Sequence, residues 1–482
     1  MESLVLAVVG GGLGLLLAWQ GTALLVALSP PDLLGPATVK INSTVLFFTL
    51  GVSLLTGIVF GLLPAFEATR VDLHSSLKEG GKNVGGGARA HKLRAIFVAA
   101  EIALALVLLI GASLLIRSFS RLQAVDPGFD ARNVLTMTVS AAPWKYDTDR
   151  KTIDFFKQAV DQFKGLPNVE AAGAISFLPF NGPHSGTNLD IEGKPKLPSS
   201  QGLTTGVCVT DAHYFDTMRI LLKEGRLFTD QEASEERHVV VVNEAFARKN
   251  LPSEDPIGKR VTIYMKDEIP PSEIIGVVAD SQHTALDGEA EPMAYWPHPE
   301  LVYSFMTFVI RTRGPAENIA GAARNVIHTL DPQQPIGQVT TMESLLAKSI
   351  ARSRFNTALL AIFAAVALLL AVVGTYGVMS YSVTQRTHEF GIRMALGAGR
   401  LDIVTLVVRR GLSMAAIGVA AGLFAAFAVT RLLTSLLYGV TATDAFTFTV
   451  VPLGLIAIAL LASYLPARRA TKVNPLVALR YE

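Results

Sequence analysis

Six long apolar runs limit the fold of this chain more than any other feature of its sequence. They lie near residues 3–28, 46–67, 95–116, 356–383, 412–436 and 447–465. A hydrocarbon core about 30 Å thick takes roughly 20 helical residues to cross, so each run is long enough to span it. Half of the 482 residues are apolar and only 17% are charged, more apolar than a soluble core requires. The sequence therefore predicts an α-helical membrane protein with six transmembrane helices.

The connections between the runs differ in basic residues, and this difference predicts the orientation. Residues 70–94, the segment after residue 383 and the C-terminal tail are rich in lysine and arginine, whereas 29–45 and 437–446 hold almost none. Because short basic connections resist translocation, we expect the basic ones in the cytoplasm. Both termini then lie inside, and residues 117–355 form a large extracytoplasmic insertion between the third and fourth helices.

This insertion has the pattern of a soluble domain. TDRKTIDFFKQAVDQFKGL has helical periodicity, whereas NVLTMTVS, HVVVVNEAF and SEIIGVVAD are typical of strands. Interleaved helices and strands predict a mixed α+β domain. The single cysteine, Cys208, excludes an internal disulfide framework and a cysteine-ligated metal site, and we expect it to be a small buried residue.

The two ends of the chain share a repeat. GLLPAFEATRVDLHSSLK (61–78) aligns without gaps with SYLPARRATKVNPLVALR (463–480), and seven positions are identical. The first two runs therefore resemble the last two, which indicates that residues 1–69 are the remnant of a first unit. We expect the chain to be a fragment of a longer duplicated protein, with a naturally shortened form as the alternative.

A charged, glycine-interrupted segment, EFGIRMALGAGRLDIVTLVVRRG (389–411), separates the fourth and fifth runs. Charged and apolar residues recur at helical spacing up to Leu396, Gly397 to Gly399 ends that helix, and Arg400 begins another. The helix has two interpretations. It is either an interfacial connector with its apolar face among lipid headgroups, or a helix that docks into the groove of a cytoplasmic partner.

EFGIRMALGAGRLDIV resembles the E-x-G-I-R-x-A-L-G-A motif of FtsX/MacB-type permeases, the ABC transporter subunits that act by mechanotransmission. The tail YLPARRATKVNPLVALR resembles the P-A-R-x-A ending of that family. GLPNVEAAGAISFLPF, YFDTMRILLKEGRLFTD and VVVVNEAFARKNLPSEDPIGKRV resemble its periplasmic core domain. The resemblance covers residues 92–482, and the duplicated group of such permeases matches best.

This resemblance implies a site and a domain division. In the family, the segment between the second and third spans of a unit is a coupling helix that docks into the ATPase. Carried over by position, the contact residues are Glu389, Gly391, Ile392, Arg393, Ala395, Leu396, Gly397 and Ala398. The implied parts are two helices in 1–69, a cytoplasmic linker in 70–94, a helix in 95–117, a MacB-like core domain in 118–354 with stalks around Ser113–Val125 and Met342–Phe355, and an FtsX-like domain in 355–482 with its coupling helix near 387–400.

The resemblance also implies a function, a permease subunit that transmits ATPase-driven motion to the periplasm. Its cargo would be antimicrobial compounds, peptides or lipoproteins, and its location the bacterial inner membrane. Expected partners are a cytoplasmic ABC ATPase, a second permease unit or a homodimer partner, membrane lipid and a periplasmic adaptor. The alternatives are a non-transporting regulator of a cell-wall enzyme and a non-functional truncated permease.

Motifs of catalysis are absent from the sequence. It contains no G-x-x-x-x-G-K-[ST], no H-E-x-x-H and no G-x-S-x-G. We therefore expect no enzyme activity, cofactor or metal in this chain, and ATP hydrolysis in a separate subunit. The 42 basic and 40 acidic residues nearly cancel, which does not favour nucleic acid as a partner.

Two acidic residues beside or within the runs have specific interpretations. Glu101 interrupts the third run, about 10 Å of helix rise from Arg94. It either pairs with Arg94 near the interface or contacts another spanning helix. Asp444 precedes the sixth run and is predicted to cap the N-terminus of its helix.

Overall fold

The computed structural model describes residues 2–28, 43–69, 85–195, 202–265 and 270–471. The chain divides into two compact units. The membrane unit combines Met1–Gln123 with Arg352–Glu482, and the outer unit is Ala124–Ala351.

Twelve α-helices occur within these described ranges. They are α1 (Glu2–Leu28), α2 (Ser43–Thr69), α3 (Gly85–Gln123), α4 (Asp149–Lys164), α5 (Tyr214–Met218), α6 (Glu244–Asn250), α7 (Ala320–Leu330), α8 (Met342–Ser349), α9 (Ala351–Gln385), α10 (Thr387–Ala395), α11 (Arg400–Val429) and α12 (Ala445–Ala470). Single 3₁₀ segments lie at Ala316–Ile319 and Thr430–Leu436.

Four helical stretches in the described residues are long and apolar enough to cross a membrane. They are Ala95–Gln123, Ala351–Gln385, Arg400–Leu436 and Ala445–Arg469. Shorter apolar stretches occur in α1 (Val8–Ala23) and α2 (Ser43–Leu55), which pack against each other. Several apolar helices thus agree with a membrane protein, and the count of six spans stays a prediction.

Some boundaries differ from the sequence expectation or lie beyond what the structure describes. Residues 85–94, placed in the linker, belong to α3, while residues 70–84 are outside the described ranges. The second expected stalk consists of two helices, since α8 ends at Ser349 and α9 begins at Ala351. The repeated segments 61–78 and 463–480 fall partly on undescribed residues, so the repeat stays a prediction.

Helices α3 and α11 make the most extensive contact in the membrane unit. Ile102, Ala105 and Leu106 of α3 are almost fully buried there. Gly418 of α11 permits the contact, because a Cβ at this position would lie 2.7 Å from the backbone oxygen of Ala99. Small residues allow spanning helices to approach closely, which maximises van der Waals contact in lipid.

The N-terminus of α12 is capped as predicted. Asp444 accepts a hydrogen bond from the Thr447 amide at 2.9 Å and another from its hydroxyl at 2.7 Å. Its carboxylate also forms an ion pair with Arg117, near the C-terminal end of α3. The cap therefore joins α12 to α3, a contact between positions far apart in sequence.

The outer unit is built on one mixed sheet of eleven strands in its described residues. They are β1 (Val134–Ser140), β2 (Val169–Ile175), β3 (Ser185–Ile191), β4 (Leu203–Thr210), β5 (Leu222–Gly225), β6 (Val239–Asn243), β7 (Arg260–Ile263), β8 (Ser272–Val278), β9 (Met293–Pro297), β10 (Phe305–Thr312) and β11 (Ile336–Thr341). The order is β11-β1-β10-β2-β4-β3-β7-β8-β6-β9, with β5 paired to β8. Strand β9 returns to pair in parallel with β4, so the strands from β4 to β9 in this order form a closed ring.

Side chains alternate between the two faces of this sheet and form two cores. Leu135 and Met137 of β1 join one cluster with Phe156 and Phe163 of α4, while Val134 joins the other. The predicted helix at 148–166 and the three predicted strands are confirmed as α4, β1, β6 and β8. Cys208 is fully buried in β4, as predicted.

One buried cation ties strand β10 to its surroundings. Arg311 is only 3% exposed, and its guanidinium donates to the backbone oxygens of Thr217 at 2.7 Å, Arg132 at 2.8 Å and Asp130 at 2.6 Å. Three charge-assisted bonds to backbone carbonyls stabilise this end of β10.

Candidate functional site

The residues with a predicted coupling role lie on α10 and the turn that follows it. Helix α10 (Thr387–Ala395) is separated from α9 by the non-helical Arg386. The Thr387 hydroxyl donates to the carbonyl oxygen of Val383, which joins the two helix ends. The segment is therefore a short helix between α9 and α11, as its sequence predicted.

One face of α10 is anchored in the membrane unit. Phe390 is 2% exposed and packs in a cluster with Val383 of α9, Ile403 and Val407 of α11, and Ala467 of α12. Gly391 beside it is also buried. Full burial of a phenylalanine side chain contributes roughly 1.5–3 kcal/mol. Movement of α10 would therefore also displace α11 and α12.

The other face of α10 is exposed although it is partly apolar. Ile392 is 38% exposed and Leu396 is 83% exposed, and Ala395 and Gly397 on either side of Leu396 are also exposed. Leu401, at the start of α11, is 80% exposed. We call Ile392, Ala395, Leu396 and Leu401 the apolar face of the segment. A cluster of exposed apolar side chains on a charged connection is the kind of surface that a helix presents to a partner's groove.

Charged groups flank this face. Arg393 forms an ion pair with Glu389 at 2.7 Å, and Arg386 lies 4.0 Å from the other oxygen of the same carboxylate. The Glu389 and Arg393 side chains are 41% and 45% exposed. An exposed i, i+4 pair stabilises a helix by only about 0.3–0.5 kcal/mol, so these groups are available to a partner at little cost in stability.

The turn after α10 is built on a left-handed glycine. Gly397 has φ +100°, a conformation that other residues rarely adopt. Its amide donates to the Met394 carbonyl at 3.1 Å, and the Ala398 amide donates to the Arg393 carbonyl at 2.9 Å. These two bonds form a Schellman motif. The Gly399 amide then donates to Asp402 at 2.9 Å, which starts α11.

The eight predicted residues thus differ in their exposure to solvent. Five are exposed around the apolar face, while Glu389 and Ala398 are half-buried and Gly391 is buried against the bundle. Phe390 and Leu401 are not among the eight residues predicted from sequence. Phe390 shares one helical face with Met394 four residues later, and this spacing was the signal for an anchoring residue.

Glu101 lies between two spanning helices. Its carboxylate contacts Gly374 of α9, where a Cβ would overlap with it. This contact supports the interpretation in which Glu101 faces another helix. The Arg94 side chain is outside the described part of the structure, so their pairing stays a prediction.

The outer unit contains a carboxylate with a buried oxygen that lacks a partner among the described residues, and the sequence did not reveal it. Asp211 accepts hydrogen bonds from the Ala174 amide at 3.0 Å and the His213 amide at 3.3 Å, while its Oδ2 has no partner among the described residues. Burial raises the pKa of this carboxyl to about 6, despite the opposing effect of those amides and of the His213 charge. Asp211 borders a cavity of about 50 Å³. The described residues contain no cluster of histidine, cysteine, aspartate or glutamate placed to hold a metal ion.

Two family models match the chain in succession. The MacB-like periplasmic core domain matches residues 99–339, and the FtsX-like permease C-terminal domain matches residues 361–475. The chain belongs to the FtsX/MacB-type ABC transporter permeases. The second match contains the whole of α10 and the turn that follows it.

Curated relatives of this permease are named macrolide export ATP-binding/permease protein MacB. The protein from Neisseria meningitidis serogroup A is 25% identical over 367 residues, which cover 73% of this chain and 53% of that protein. The protein from Mannheimia succiniciproducens is 28% identical over 276 residues, covering 56% and 42%. The chain thus spans about half the length of the curated relatives that it matches.

Solved structures similar to this permease are extracytoplasmic regions. The periplasmic region of MacB from Actinobacillus actinomycetemcomitans is 16% identical with a TM-score of 0.32, covering 45% of this chain and 92% of that one. The extracellular domain of the noncanonic ABC-type transporter YknZ from Gram-positive bacteria is 15% identical with a TM-score of 0.31, covering 43% and 100%.

Proposed function

We propose that this chain is the membrane component of an ABC-type export or mechanotransmission complex in a bacterial inner membrane, and that α10 is its coupling helix. A separate cytoplasmic ATPase binds the apolar face, and a second permease unit or a second copy provides the opposite half. Its cargo belongs to the classes that the family resemblance implies, which are antimicrobial compounds, peptides or lipoproteins. The curated relatives are named for macrolide export. ATP hydrolysis is assigned to the partner.

The observation that supports this proposal is the two-sided environment of α10. Phe390 holds one side of the helix in the bundle, while Leu396 on the other side is 83% exposed. A helix that only connected two spans at the lipid interface would bury its apolar residues on one side and leave charged residues on the other. Here apolar residues lie on both sides, so one set is left for a partner.

The packing also favours transmission of force from α10. Phe390 contacts α11 and α12, and α11 packs tightly along α3. Helix α3 ends at Gln123, directly before the outer unit begins, and α9 begins at Ala351, where the outer unit ends. Close-packed helices resist deformation, so displacement of α10 would be carried along them as a unit.

The orientation follows from the basic residues and completes the proposal. Arg386, Arg393 and Arg400 mark the α10 side as cytoplasmic, and the outer unit then lies outside the membrane. The six spans and the domain division 1–69, 70–94, 95–117, 118–354 and 355–482 belong to the same proposal.

Co-purification of the detergent-solubilised chain with candidate ATPase subunits tests the proposal. We expect the wild type to retain an ATPase, and Leu396→Asp to release it because a carboxylate would be buried in the groove without a partner. Leu221→Asp is the matched control, since Leu221 is 69% exposed on the outer unit. Failure of every candidate ATPase to bind the wild type, or equal loss in the control, would contradict the proposal.

The ion pair allows a second and sharper test. Arg393→Glu should weaken ATPase binding, and the double change Glu389→Arg with Arg393→Glu restores the intrahelical pair with its charges exchanged. If Arg393 contacts the ATPase, the variant with the exchanged pair still binds the ATPase weakly. Full recovery would show that the pair only supports the helix, and would assign ATPase contact to the apolar face alone.

A further inference from the structure

A cavity of about 320 Å³ opens between the end of α9, helix α10 and the first half of α11. Four arginines line it, Arg386, Arg393, Arg409 and Arg410, and most of the remaining lining is apolar. The volume is at the lower end of the range for small-molecule sites, about 300–1,000 Å³. We propose that this arginine cavity binds the headgroup of an anionic phospholipid.

The charges around the cavity are not balanced by the described part of the protein. Glu389 interacts with Arg393 and Arg386, at 2.7 and 4.0 Å. In the described ranges, no carboxylate lies within 4.0 Å of Arg409 or Arg410. Four guanidinium groups thus share one carboxylate. Guanidinium groups bind phosphate through paired hydrogen bonds, so a phosphate diester is a suitable counter-charge.

In the sequence, Arg386 and Arg410 lie close to the ends of two apolar runs. Arg386 follows the run that ends near residue 383, and Arg410 precedes the run that begins near residue 412. Helix α10 and the first turns of α11 connect these two ends, so both boundaries face the same side of the membrane. Lipid phosphates lie just beyond the hydrocarbon core, and basic pockets between helix ends on the cytoplasmic side suit anionic headgroups.

The apolar part of the lining distinguishes a lipid from other anions. Met379 and Val383, at the end of the run that stops near residue 383, form a buried part of the lining, and Leu406 of α11 is 39% exposed. A phospholipid would cover Leu406 with the apolar atoms of its glycerol and acyl chains. A free phosphate ion would neutralise the arginines and leave Leu406 uncovered.

Lipid titration of the purified full chain in an uncharged detergent tests this site. Far-UV circular dichroism follows thermal unfolding in the presence of dihexanoyl phosphatidylglycerol, dihexanoyl phosphatidylcholine or inorganic phosphate. We expect a saturable rise of the unfolding midpoint with phosphatidylglycerol only, because a ligand that binds the folded state stabilises it. Equal stabilisation by phosphatidylcholine, or by phosphate alone, would overturn the proposal.

Paired variants locate the effect in the cavity. Arg409→Gln with Arg410→Gln is expected to raise the half-saturating concentration of phosphatidylglycerol at least tenfold. Arg400→Gln with Arg468→Gln removes the same amount of charge from exposed arginines outside the described lining of the cavity. This pair should change the half-saturating concentration of phosphatidylglycerol less than twofold. Equal effects of the two pairs would show general surface attraction and would overturn the assignment.

A conservative pair of substitutions distinguishes loss of lipid binding from misfolding of the variant. Arg409→Lys with Arg410→Lys keeps both charges and loses the guanidinium fork, so we expect weakening of two- to fivefold with an unchanged midpoint in the absence of lipid. Wild-type affinity in both the lysine and the glutamine pair would overturn the proposal. So would loss of ATPase binding in the glutamine pair without loss of lipid binding, since the cavity would then belong to the protein partner.

Discussion

Replacement of Gly418 by valine is expected to separate α11 from α3 and destabilise the membrane unit. A Cβ at this position would lie 2.7 Å from the backbone oxygen of Ala99 and 2.9 Å from the Ile102 side chain. Ordinary contacts of a Cβ begin near 3.4 Å, so the helices must move apart by about 0.7 Å. A backbone oxygen within a helix cannot rotate away as the end of a flexible side chain can.

The cost follows from the contacts that such a shift would loosen. A radial gap of about 0.5–1 Å forfeits a quarter to a half of the dispersion energy of each facing atom pair. Overpacking of a well-packed core costs about 1–3 kcal/mol, and the two extra methyl groups of valine place this change toward the upper end. For a unit of this size we expect the unfolding midpoint to fall by about 4–12 °C.

Far-UV circular dichroism of the full chain in detergent is the suitable measurement. Trp144 and Trp296 lie in the outer unit and Trp19 lies in α1, so tryptophan fluorescence would not report on the contact between α3 and α11. The control is Gly454→Val on α12, where an added Cβ meets no atom within 4 Å. We expect the control to stay within about 0.5 kcal/mol of the wild type. Equal losses in both variants would refute the packing argument.

Three further changes test other parts of the molecule. Asp211 has its pKa raised by burial from 3.8 to about 6, so the folded state keeps a proton that the unfolded chain loses, and stability falls as the pH rises from about 4 to about 6. Asp211→Asn should remove this fall, measured by tryptophan fluorescence during thermal unfolding at pH 4, 6 and 7.5, and an unchanged pH dependence would contradict it. Arg311→Met leaves three backbone oxygens without these donors and should cost about 3 kcal/mol in urea unfolding of the full chain, whereas a cost below about 1 kcal/mol would count against a stabilising role for these hydrogen bonds. Asp444→Ala should destabilise α12 by about 1 kcal/mol through loss of its cap, as measured by circular dichroism, and Asp444→Asn should retain most of the wild-type stability.

The arginine cavity and the apolar face adjoin each other on α10, which gives the proposals a shared consequence. Arg393 lines the cavity and also pairs with Glu389 on the helix that is proposed to dock. A bound anionic lipid would compete with Glu389 for this guanidinium. The charge that α10 presents to an ATPase would then depend on the lipid beside it.

Much of the local structure could be predicted from sequence because it depends on residues close along the chain. The apolar runs after residue 94, the helix α4 and strands such as β6 follow from periodicity. The end of α10 at Gly397 and the cap at Asp444 follow from the conformations and hydrogen bonds that single residue types favour. The family resemblance also rested on short motifs, so it too was accessible from sequence.

Tertiary structure alone decided which side of each element meets which neighbour. Periodicity placed apolar residues along α10, yet only the packing of Phe390 against Ile403 and Ala467 showed which of them are anchored and which, like Leu396, are exposed. The approach of Ala99 to Gly418, the burial of Asp211 and the clustering of four arginines also join positions that are distant in sequence or on different helices. Local sequence sets the conformation of a helix or a strand through its own hydrogen bonds. The environment of its side chains is set by the close packing of distant segments, and no short stretch of sequence contains that information.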